Sequence, residues 1–112
     1  MSAGTETRLW LAQRASAGLL ALCVAVHLAT MIVAVRGGLT AIEILGRTRG
    51  SVAWATFYAV FVIAVSIHAP LGLRTIASEW LAWRGRGVDA ACAVIALTRL
   101  ALGLLAVASV TL

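Results

Sequence analysis

The stretch "AWATFYAVFVIAVSIHAPLGLR", residues 53–74, decides what kind of protein this is. From Ala53 to Leu73 it holds no Asp, Glu, Lys or Arg, and its length matches the ~20 residues that cross a bilayer core as helix. Trp54 suits the headgroup level at one end, and Arg74 closes the run at the other. Two further runs, about 16–35 and 90–112, have the same character. The expected fold is therefore all-α: one domain of three antiparallel transmembrane helices over residues 1–112.

Composition points the same way. The chain of 112 residues is 62% hydrophobic and 12% charged, with a mean hydropathy of +1.04, whereas the apolar share of a soluble domain is nearer half. A water-soluble globule is excluded. The first run follows a short basic start, as in a signal peptide, but it is too long and ends in "VAVRGG" without an A-x-A-like site, so it reads as a mature span.

The net charge of +5 comes from arginines alone, since there is no lysine. Most flank the apolar runs, where they set orientation and do not form a nucleic-acid patch. Arg8, Arg14, Arg74, Arg84 and Arg86 fall on one side, and Arg36, Arg47 and Arg49 on the other. The positive-inside rule then gives a cytoplasmic N-terminus and an outer C-terminus, in a bacterial cytoplasmic membrane. Trp10, Trp54, Trp80 and Trp83 at the span ends read as an interfacial belt. Cys23 and Cys92 read as small buried hydrophobes, because their spacing fits neither a zinc site nor a disulfide framework.

Residues 1–7 are expected to fray, and Arg8 to Ser16 to approach the first span as helix. The loop "RGGLTAIEILGRTRG", Arg36 to Gly50, contains a short helical turn expected on the outer surface. Glu43 within it reads as a solvated loop acid, with a second quinone site or a proton path as the alternative. Glycines in "SEWLAWRGRG" are expected to break the helix before Val88.

Three ionisable residues lie inside the spans, where each costs from about 2.5 kcal/mol upward and is a functional candidate by default. They are His27, His68 and Arg99. A lone membrane histidine often only bonds across a helix interface, but two in separate spans favour metal or haem. From the span midpoints, His27 lies about 3 Å to the outer side and His68 about 6 Å to the cytoplasmic side, hence roughly 9 Å apart in depth. Such a pair suits two irons, each taking its second ligand from another chain, better than one shared iron. Gly72 and Pro70 beside His68 leave room for a flat ligand or for a neighbouring helix. Arg99, near the middle of the third span, needs an anion, such as a haem propionate or an acid from a partner. If its span begins later, it lies nearer the interface.

Two motifs resemble the cytochrome b membrane-anchor subunits of succinate dehydrogenase and fumarate reductase, the complex II family. "WLAQRASAGLL", residues 10–20, is similar to S-x-x-H-R-x-S-G: Arg14 and Ser16 match, while Trp10 replaces the first serine, Gln13 the histidine and Ala17 the glycine. "HAPLGLRTIASE", residues 68–79, is similar to H-x-x-x-G-[IL]-R-H-x-x-x-D: His68, Gly72 and Arg74 match, while Thr75 replaces the second histidine and Glu79 the aspartate.

The resemblance implies a haem b with His68 as axial ligand and a quinone, the substrate, near Arg14, Ser16 and Trp10 on the cytoplasmic side. Helix capping is the rival role for Ser16. A first-span histidine such as His27 is similar to the two-haem branch, whose chains have five spans. Here the missing ligands fall to a second anchor chain, identical or different, with two haems possible per dimer. Arg74 and Arg99 are candidates for the propionates, with topology-setting interface charge the alternative for Arg74. The implied partners are iron–sulfur and flavoprotein subunits, where the dehydrogenation takes place, together with membrane lipid and no nucleic acid. The chain is then a non-catalytic subunit of a succinate:quinone oxidoreductase. A haem-free anchor and a small holin-like pore are the rival readings.

Overall fold

A computed structural model describes residues 2–112. The chain is helical throughout: α1 (Ala3–Gly37), α2 (Ala41–Thr48), α3 (Val52–Trp80) and α4 (Arg86–Thr111). Helices α1, α3 and α4 are long and apolar enough to cross a membrane.

Helix α1 starts well before its apolar run. The Ser2 side chain accepts from the Thr5 amide at 3.2 Å, and Glu6 lies in the first turn, where a carboxylate suits the positive end of the helix dipole. The fraying expected over residues 1–7 is thus corrected for 3–7, which are helical. Residue 1 lies outside the described residues. Helix α3 likewise outlasts its apolar run and continues to Trp80. Gly85, at φ +102°, starts α4 in a conformation that favours glycine.

The short turn in the first loop is a complete helix. Thr40 and Glu43 form a reciprocal capping box at the start of α2. The Glu43 carboxyl is held below the ordinary carboxylate range, chiefly by the Thr40 hydroxyl, then by the Thr40 amide, with a smaller contribution from Arg47. Thr48 donates to the Val110 carbonyl at 2.6 Å, and the Gly50 amide donates to the Thr111 carbonyl at 2.8 Å. These bonds tie the loop to the end of α4.

Helix α3 is central, packed against both α1 and α4, which scarcely meet each other. Small residues occupy the seams: Ser16, Cys23, Ala64, Ser66 and Ala77 are buried. Leu22 and Leu97 are each 68% exposed. Large apolar side chains outward and small ones inward is the arrangement that a lipid solvent selects, because close backbone approach replaces the hydrophobic effect between helices. Gly103 marks the tightest approach, since a Cβ there would collide with Val62. Near the end of α3, Arg74 reaches Asp89 of α4 at 2.9 Å and Glu6 of α1 at 3.3 Å.

Candidate functional site

The two histidines sit at different levels of the bundle. His27 packs edge-on against Tyr58 and Phe61, with centroids 5.8 and 5.6 Å away. His68 lies seven to ten residues further along α3, roughly 10–15 Å at the helical rise.

His68 faces α1. Its Nδ1 is 3.3 Å from the Ser16 Oγ, at the long end of hydrogen-bond range. Ser16 is buried and donates its one proton to the Gln13 carbonyl at 3.1 Å. While that proton stays on the carbonyl, Ser16 accepts from His68, and the imidazole then carries its proton on Nδ1 and its lone pair on Nε2. A histidine that ligates a metal through one nitrogen usually has its other N–H held in this manner.

A Cβ at Gly72 would sit 3.4 Å from Gln13 Nε2 of α1, an ordinary contact with a side-chain tip, and would meet no other neighbour within 4 Å. Pro70 is buried within an unbroken α3. Having no N–H, it leaves the carbonyl of Ser66, four residues back, without its helical donor.

His27 lines a cavity of about 660 Å³ between α1, α3 and α4, with Tyr58 and Phe61 near the ring and Ser66 and Arg99 further along. That is the size range of ligand pockets. His27 Nδ1 and Ser66 Oγ are buried without a hydrogen-bond partner among the described residues. A second cavity of about 510 Å³ also borders Ser66 and extends past Pro70 to Arg74 and Asp89. Sequence reasoning missed Ser66 and Tyr58. The available signal for Ser66 was a hydroxyl in mid-run, four residues before a proline.

The remaining candidates are dispersed. Arg14 stacks over Trp10 at 5.4 Å, and both are exposed on α1. Ser16 points away from Arg14, about 200° around the helix, so the three quinone candidates do not converge within this chain. Arg74 is already paired with two carboxylates. Arg99 has no carboxylate partner among the described residues, both ion pairs found there being Arg74's. No group of three His, Cys, Asp or Glu able to hold a bare metal ion occurs among the described residues.

Comparison with protein-family models, curated proteins and solved structures finds no match.

Proposed function

We propose that the chain is a haem b-binding, quinone-interacting membrane anchor that passes electrons between the iron–sulfur and flavin subunits of a succinate dehydrogenase or fumarate reductase and the quinone pool. In this reading its three spans run antiparallel, with the N-terminus on the cytoplasmic side of a bacterial membrane and the C-terminus outside. The contacts of Arg74 with Glu6 and Asp89 at one end, and of the α2 loop with α4 at the other, support the antiparallel order.

One observation carries the proposal: the Ser16 hydroxyl stands between the Gln13 carbonyl and His68 Nδ1, an arrangement that favours a proton on Nδ1 and a lone pair on Nε2. The site at the His27 level has room for a porphyrin: His27 lines a cavity with the aromatic side chains of Tyr58 and Phe61, and its Nδ1 is buried without a partner among the described residues. His68 lines neither large cavity and is only half-buried, so a second anchor chain would have to close its site. A haem held between two imidazoles has no open position for substrate and serves to carry electrons.

The chain's own residues do the rest. Arg99 supplies a cation for a propionate. Arg74 would serve a propionate only by giving up Glu6. Arg14 can donate to a quinone carbonyl at the cytoplasmic entrance, with Trp10 stacked over it to exclude water. Ser16 turns inward and acts through His68 instead.

A reduced-minus-oxidised spectrum of the purified protein tests the reading. A haem b α-band supports it. No band with retained succinate-to-quinone activity leaves a haem-free anchor. No band and no co-purifying flavoprotein leaves a holin-like pore.

A further inference from the structure

The His27 cavity has two chemically distinct ends. At one stand the imidazole, Tyr58 and Phe61. At the other, roughly 10 Å along α3, are Ser66 and Arg99. Arg99 comes level with this part of α3 because Gly103, one turn on, is pressed against Val62, one turn before Ser66.

Ser66 is 5% exposed, and its Oγ has no partner among the described residues. A hydroxyl buried in an apolar bundle is costly unless something accepts its proton. Arg99 adds a permanent cation that no side chain of the spans can neutralise, since all four acids of the chain lie in loops or near helix ends. Ser66 and Arg99 thus stand together in the lining of a cavity whose other polar members are His27, Tyr58 and Thr98.

We propose that Ser66 and Arg99 form a carboxylate-binding end of this cavity, opposite His27. The inference rests on the haem reading, in which the carboxylates are the propionates of the His27 haem. A haem held by His27 would then have Ser66 and Arg99 beside its propionates. A membrane fatty acid is the other source of the same chemistry.

The test uses the full-length protein stripped of haem, in lipid nanodiscs, titrated with protohaem, its dimethyl ester and a fluorescent fatty acid. The wild type is expected to bind protohaem about tenfold or more tighter than the ester, the scale of a hydrogen bond to a charged group. Ser66→Ala and Arg99→Gln should each lose most of that preference while binding the ester as before, and Arg99→Lys should keep part of it. Circular dichroism confirms that the variants remain folded. If both variants keep the full preference, the carboxylates lie elsewhere and the proposal fails. If the wild type binds neither porphyrin but holds the fatty acid through Ser66 and Arg99, the carboxylate end stands and the haem reading falls. If it binds none of the three, both fall.

Discussion

At His68 a serine hydroxyl within reach of the Gln13 carbonyl can serve as the acceptor for an Nδ1 proton, so the orientation of one serine bears on the chemistry of a ring on another helix. Ser16→Ala removes that acceptor. The expected result is haem held about 10–100-fold more weakly, the usual cost of losing an outer-shell partner, with Ser16→Thr restoring most of it. Haem retained by the purified variants measures this. The residue types behind His68 were legible, because an imidazole in hydrocarbon is conspicuous at any position. The use of Gly72 was not, because a glycine declares that a side chain is missing without saying what stands beside it, and the one neighbour within 4 Å of a Cβ there is the tip of Gln13. Ser66 was passed over for a related reason: a serine is cheap in a span when it bonds its own backbone, and only the packed structure exposes an Oγ without a partner.

Among the elements, the seam between α3 and α4 depends on Gly103. Alanine there gains helix propensity of about 1 kcal/mol over glycine, yet its methyl would collide with the branched side chain of Val62, and overpacking costs about 1–3 kcal/mol. Gly103→Ala is expected to lower the thermal unfolding midpoint in detergent, and Val62→Ala in the same chain to recover part of the loss. At α2 the capping box is the test. Thr40→Ala should speed exchange of the Glu43 and Ile44 amides. Because the Glu43 carboxyl is depressed in the folded state, its contribution is present above the ordinary glutamate value of about 4.3 and is lost as pH falls through the lower folded value, so the protection of these amides relative to their intrinsic exchange rates should fall only in acid. The existence of each long helix was legible from hydropathy, but the ends were not. Hydropathy reports the solvent a segment prefers, whereas a helix stops where its backbone is capped, and so α1 begins at Ala3 under Ser2 and α3 runs on to Trp80.

For the molecule as a whole, α3 is a spine with α1 and α4 on either side, and the polar groups that hold them gather toward the two ends. Between those ends the small-residue packing is interrupted by two imidazoles and the buried Ser16 and Ser66, with Arg99 exposed midway along α4. The roughly 10–15 Å between the histidine levels is too far for both to hold one iron of this chain, so the proposed function calls for two. Counting haem per chain in wild type, His27→Ala and His68→Ala measures that directly. The expected result is a haem-loaded wild type and loss of about half the haem in each variant. A wild type without haem, or two variants that both keep the full load, would contradict it.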